Sequence, residues 1–77
     1  MVVLMTLREL IPGESGTVTS IGEKGSMRRR LMDMGVTPGT SVKVIKVAPL
    51  GDPIEINIRG YELSLRKDEA QNIMIKK

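Results

Sequence analysis

The segment from Arg28 to Gly39 constrains the fold of this chain more than any other stretch of the sequence. Met27, Leu31 and Met34 stand at positions i, i+4 and i+7, a spacing that predicts a short amphipathic helix with these side chains towards the core. Gly35 follows, and a glycine there predicts that the helix ends in the left-handed backbone conformation. A Pro-Gly pair then predicts a turn. The segment therefore predicts a short helix inserted between strands.

The polar residues around this helix leave two interpretations open. We expect the loop Gly22–Gly25 to precede the helix and Ser26 to be its N-cap. Arg29 and Asp33 lie opposite the apolar stripe, and Arg28 lies at its flank. The run of arginines fits a solvated helix face and a binding surface equally well.

The rest of the chain has the pattern of short β-strands. β-Branched or alternating apolar residues predict five of them: Gly16–Ile21, Val42–Val47, Ile54–Ile58, Tyr61–Leu65 and Asn72–Ile75. We expect the second strand to be packed on both faces for part of its length, and Tyr61, Leu63 and Leu65 to face the core. Before the strands, Thr6 and Glu9 have the spacing of a capping box around a single helical turn.

Five strands and one inserted helix in 77 residues favour a mainly β fold, a small SH3-like five-stranded barrel. Closing a barrel removes exposed strand edges, which matters for strands this apolar. An open α+β sheet is the alternative, because periodicity does not determine strand order. The length predicts one domain over residues 1–77.

The composition excludes most kinds of catalytic and metal site. The chain has no Cys and no His, which removes thiolate catalysis, zinc fingers, iron–sulfur clusters and histidine acid–base catalysis. Its carboxylates are scattered, so we expect solvated surface charges, no metal site and no cofactor. One aromatic residue and a net charge of +3 are too little for a dedicated nucleic-acid surface. The sequence therefore predicts a non-catalytic binding module without a specific nucleic-acid ligand.

The sequence gives no indication of secretion or membrane insertion. No segment approaches the roughly 20 apolar residues that span a bilayer. Met1–Met5 is too short for the core of a signal peptide and lacks a basic leader and a cleavage site. We therefore expect a cytoplasmic protein.

Three segments, in order, resemble the FeoA family. They are Arg28–Gly39, Ala48–Pro53 and Arg59–Ala70, and the resemblance extends from Thr6 to Ile75. The resemblance implies an SH3-like barrel and a cytosolic accessory role in bacterial or archaeal ferrous-iron uptake. The implied partner is the membrane ferrous-iron transporter that carries a cytosolic GTPase domain. The chain would then be associated with the membrane only through this partner.

Other functions remain as alternatives. A similar domain is found at the C-terminus of metal-dependent repressors of the diphtheria-toxin-repressor type, which suggests a metal-linked regulatory domain. Since nothing before Thr6 could form a helix-turn-helix, we do not expect a complete repressor. An RNA-binding SH3-like module would need a denser basic stripe. An enzyme ranks last, because the sequence has no nucleophile–base pair. Exposed apolar turns are compatible with an oligomer.

We expect the partner-binding surface to combine the second turn with the arginines of the helix. The candidate residues are Arg28, Arg29, Leu50, Gly51, Asp52 and Pro53. Leu50 stands at a predicted loop tip and either protrudes as an anchor or folds back over the mouth of the barrel. Gly51 and Pro53 are expected to shape the turn.

Overall fold

The computed structural model describes residues 4–22 and 25–77. Within these ranges the chain forms six strands, two α-helices and a 3₁₀ turn at Leu7–Glu9. The strands are β1 (Leu4–Thr6), β2 (Ser15–Ile21), β3 (Ser41–Val47), β4 (Ile54–Ile58), β5 (Tyr61–Leu65) and β6 (Ile73–Lys76). The helices are α1 (Ser26–Asp33) and α2 (Lys67–Gln71). The prediction of a mainly β chain with an inserted helix is confirmed.

The strands form one antiparallel sheet in the order β1-β6-β2-β3-β4-β5. The expected count of five strands is wrong, because the chain adds β1, whose three residues pair with β6 from Leu4↔Lys76 to Thr6↔Met74. Among the described residues the hydrogen-bonded order does not close, so the sheet is barrel-like with β1 and β5 as its edges. The short β1 limits the exposed backbone at one of these edges.

Alternating apolar residues fill the core, as their period predicts. Ile54, Ile56 and Ile58 of β4 are all buried, while Glu55 and Asn57 between them are partly exposed. The other large, fully buried side chains are Leu7, Val18, Leu31, Val36, Val42, Val44, Leu65, Ile73 and Ile75. Burying such a set is the main favourable term in the folding of a domain this small.

Two apolar side chains that were expected in the core are exposed. Ile45 is 40% exposed because it alternates with the buried Val42 and Val44 and so lies on the outer face of the sheet. The register between β3 and β4 shifts between Val44 and Lys46, and this bulge places Lys46 on the outer face as well. Tyr61 is 44% exposed. It opens β5 directly after the two-residue turn Arg59–Gly60, where both residues have positive φ, as a type I′ turn requires.

Helix α1 ends as its sequence predicts but begins differently. Gly35 has φ +96°, and its N–H donates to Met32 while the N–H of Val36 donates to Leu31. These two bonds form a Schellman motif. Ser26 is the first helical residue and not the N-cap; that place belongs to Gly25, also at φ +96°, without a side-chain cap. Glu23 and Lys24 of the predicted loop lie outside the described residues.

The N-terminal turn follows its predicted capping pattern. The Glu9 carboxylate accepts a hydrogen bond from the N–H of Thr6 at 2.6 Å. This contact supplies the acidic half of the capping box.

Candidate functional site

The turn between β3 and β4 presents an apolar side chain to solvent. The N–H of Gly51 donates to the carbonyl of Ala48 at 2.7 Å, and the N–H of Ala48 donates to the carbonyl of Pro53 at 3.1 Å. Gly51 has φ +81°, which a glycine adopts without strain. Leu50, at the tip, is 90% exposed. The alternative in which Leu50 folds back over the core is therefore wrong.

Asp52 connects this turn to helix α2. Its Oδ1 accepts a hydrogen bond from the N–H of Lys67, the first residue of α2, at 3.1 Å. That N–H has no intrahelical acceptor, since it belongs to the first turn. Local sequence patterns did not indicate this contact, which joins residues 15 positions apart.

Arg28 and Arg29 lie on the solvent side of α1, and both are exposed. Together with Gly25, Met32 and Asp33 they line a shallow depression of about 460 Å³. This placement agrees with the predicted helix face. Neither arginine lines a second depression, which contains the Asp52–Pro53 end of the turn.

Arg30 is the helix arginine that lies near the turn, and sequence reasoning missed it. Its Nη2 is 2.7 Å from Oε2 of Glu69, whose side chain is only 5% exposed. The other oxygen of Glu69 accepts the N–H of Arg66 at 2.8 Å. Arg30, Glu69 and Arg66 share a depression of about 390 Å³ with Asp52 and Pro53. Arg66 and Glu69 have the spacing of a capping box, but such a box normally begins with Ser or Thr. The local sequence therefore gives only a weak indication of this site.

The C-terminal end of α1 is attached to the β4–β5 hairpin by polar contacts. Tyr61 donates its hydroxyl proton to the carbonyl of Met34 at 2.7 Å. Arg59 donates to the hydroxyl oxygens of Thr37 and Thr40 at 3.1 and 3.3 Å. These contacts explain the position of Tyr61, whose ring lies at the surface while its hydroxyl satisfies a helix-terminal carbonyl.

Only one side chain of α1 is fully buried in the core. Leu31 is fully buried, whereas Met27 and Met34 are only partly buried and pack against the core. The predicted stripe is therefore correct in direction, with Leu31 as its centre. Polar contacts at Arg30 and Met34 complete the attachment.

Contacts with two other residues lower the pKa of Glu14. The hydrogen bond from the Lys77 side chain lowers the pKa of Glu14, with a further contribution from the N–H of Ile11. This pair joins the residue after β6 to the residue before β2. Across residues 4–22 and 25–77, no group of three or more acidic side chains is placed to hold a metal ion. Within the same ranges, no helix is long and apolar enough to cross a bilayer.

A family model described as the FeoA domain matches residues 5–77. The chain belongs to the FeoA family. The matched residues include all six strands except the first residue of β1. The match confirms the resemblance to this family that the sequence motifs indicated.

One curated relative places the FeoA domain within a larger protein. The chain is 34% identical over 71 residues to the Fe(2+) transport protein A/Fe(2+) transporter FeoB fusion protein of Porphyromonas gingivalis. The match covers 92% of this chain but only 8% of the relative's length. In that relative a FeoA-type segment and the FeoB transporter form one polypeptide.

Solved structures of family members have the same fold. The FeoA-like protein of Clostridium acetobutylicum is 40% identical, with a TM-score of 0.87 over 94% of this chain and 84% of that one. The FeoA of Stenotrophomonas maltophilia is 28% identical, with a TM-score of 0.81 over 92% and 88% of the two chains. The latter, solved with zinc, is described as a prokaryotic SH3 domain protein and a candidate ferrous-iron transport activating factor. The SH3-like fold class is confirmed.

Proposed function

We propose that this chain is a non-catalytic accessory protein of ferrous-iron uptake that binds the cytosolic part of the membrane iron transporter, including its GTPase domain. Leu50 carries the proposal: it is a leucine at the tip of a hydrogen-bonded turn and 90% exposed, where it contributes nothing to the core. The fused relative supports the choice of partner, because fusion keeps the two proteins in permanent proximity.

We propose that the docking surface consists of the Leu50–Pro53 turn and the arginines of α1. Moving a leucine side chain from water into an apolar pocket contributes about 1.5–3 kcal/mol, or about 10- to 150-fold in Kd. Its ordered turn reduces the entropy lost on binding. Gly51 and Pro53 shape the turn, and Asp52 fixes its base to α2.

Arg28 and Arg29 add charge to this surface. Both are exposed at the end of α1 that follows Gly25. Exposed cations contribute more to the rate of association with an acidic partner than to affinity. We therefore expect their contribution to decrease with salt, whereas that of Leu50 does not.

The test compares Leu50→Asp with Ile11→Asp, a matched change at another exposed apolar side chain (62% exposed). Both variants are expected to keep the wild-type melting temperature, because neither side chain packs in the core. Only Leu50→Asp should lose co-purification with the cytosolic part of the transporter and iron uptake in cells. Wild-type binding by a folded Leu50→Asp variant would contradict the assignment.

A charge variant tests the arginines separately. Arg28→Glu/Arg29→Glu is compared with Lys43→Glu/Lys46→Glu, which changes the net charge equally at two exposed lysines of β3. Slower association in the arginine variant alone supports the surface. Equal slowing in both variants would mean that only net charge matters.

A further inference from the structure

Helix α2 makes a polar contact with each of the two parts of the docking surface, the Leu50–Pro53 turn and helix α1. The N–H of Lys67 donates to Asp52, at the base of the Leu50 turn, at 3.1 Å. Two residues further on, the buried carboxylate of Glu69 holds Arg30 of α1 at 2.7 Å. One short helix therefore contacts both the turn that carries Leu50 and the helix that carries the exposed arginines.

The Glu69 contact is built as a fixed link and not as a surface ion pair. The Glu69 side chain is 5% exposed, and both of its oxygens have partners, Arg30 Nη2 and the N–H of Arg66. A buried carboxylate without its cation would carry a large desolvation cost, so this pair stays closed. The Arg30 side chain, in contrast, is 64% exposed and remains part of the surface.

Helix α1 needs such a link because its apolar attachment is small. Only Leu31 of its eight residues is fully buried. Met27 and Met34 pack against the core but are only partly buried, so polar contacts have a larger share in fixing the orientation of the helix. Tyr61 at Met34 fixes the C-terminal end, and Arg30–Glu69 fixes the middle.

We propose that Glu69 and Asp52 are positioning residues: through α2 they hold α1 and the Leu50 turn in one relative orientation, so that the partner meets a preorganised surface. The proposal rests on the proposed function for the identity of that surface. Preorganisation raises affinity because the surface loses less conformational freedom on binding. Glu69→Gln and Asp52→Ala, which removes the acceptor of the Lys67 N–H, are therefore expected to weaken transporter binding about three- to tenfold.

The absence of Cys from the chain allows a direct measurement. Spin labels are attached to an Arg29→Cys/Leu50→Cys variant, and pulsed electron paramagnetic resonance gives the distribution of distances between α1 and the turn. We expect one narrow distribution, which becomes broader when Glu69→Gln or Asp52→Ala is added. Asp68→Asn is the matched control, since it removes a carboxylate of the same helix whose side chain has no hydrogen bond among the described residues.

The outcomes separate this proposal from the proposed function. A distribution that stays narrow in both Glu69→Gln and Asp52→Ala overturns the positioning role, whatever the binding result. A broadened distribution in a chain whose wild type does not bind the transporter supports the positioning role and refutes the function. Asp52 is exposed, so Asp52→Ala keeps the test decisive if Glu69→Gln fails to fold.

Discussion

Replacing Gly35 by alanine tests how the end of α1 is joined to the β4–β5 hairpin. Gly35 has φ +96°, and an added Cβ would lie 2.7 Å from the hydroxyl oxygen of Tyr61. That hydroxyl donates to the carbonyl of Met34. Because Tyr61 is 44% exposed, its ring is able to move outwards, but the movement breaks this hydrogen bond. Gly35→Ala therefore has two costs, backbone strain and a lost contact.

The two costs have different magnitudes. Positive φ in an alanine costs about 1–2 kcal/mol, and a hydrogen bond contributes about 0.5–1.5 kcal/mol. We expect Gly35→Ala to lower the free energy of unfolding by about 1.5–3.5 kcal/mol. A chain of this length has a total stability of only about 4–11 kcal/mol. The melting temperature should fall by about 6–28 °C, at 4–8 °C per kcal/mol.

Gly39→Ala is the matched control. Gly39 has φ +92°, close to that of Gly35, but an added Cβ there has no atom within 4 Å. Urea denaturation followed by circular dichroism gives the free energy of unfolding for each variant, alone and combined with Tyr61→Phe. In the Tyr61→Phe background the clash is absent, so Gly35→Ala should cost no more than Gly39→Ala. Equal costs in the wild-type background would refute the reasoning.

Two further predictions concern Glu14 and metal binding. The hydrogen bond from Lys77 is the main cause of the lowered pKa of Glu14 in the folded state. The pair therefore stabilises the fold fully at pH values above the unfolded-state pKa of Glu14. This stabilisation is lost as the pH falls through the lower pKa of the folded state. Lys77→Gln should raise the pKa of Glu14 in an NMR titration; an unchanged value would contradict this cause. The chain should show no stoichiometric Fe²⁺ or Zn²⁺ binding tighter than micromolar in anaerobic calorimetry, because it has no Cys or His. A tight site in the isolated chain would refute this expectation, and the zinc-bound relative makes Zn²⁺ the stricter probe.

Local sequence patterns determined the elements and most of the core. The stripe of Met27, Leu31 and Met34, the glycine end of α1 and the alternation in β4 are each properties of a few neighbouring residues. Periodicity predicts burial there because backbone geometry fixes which side chains share a face. The exposed position of Leu50 was one of two alternatives, and tertiary structure decided between them.

Contacts between distant segments were decided only by the tertiary structure. The bulge at Ile45, the position of Tyr61 and the pairing of β1 with β6 all depend on which strands become neighbours. The same holds for Arg30–Glu69 and Asp52–Lys67, which join residues far apart in the chain. Local patterns contain no information about such partners. Arg29 and Arg30 have the same helix propensity, for example, but only the tertiary structure shows that Arg30 is the one that contacts Glu69. The sequence thus indicated which residues are available for binding, and packing determined which of them are held together.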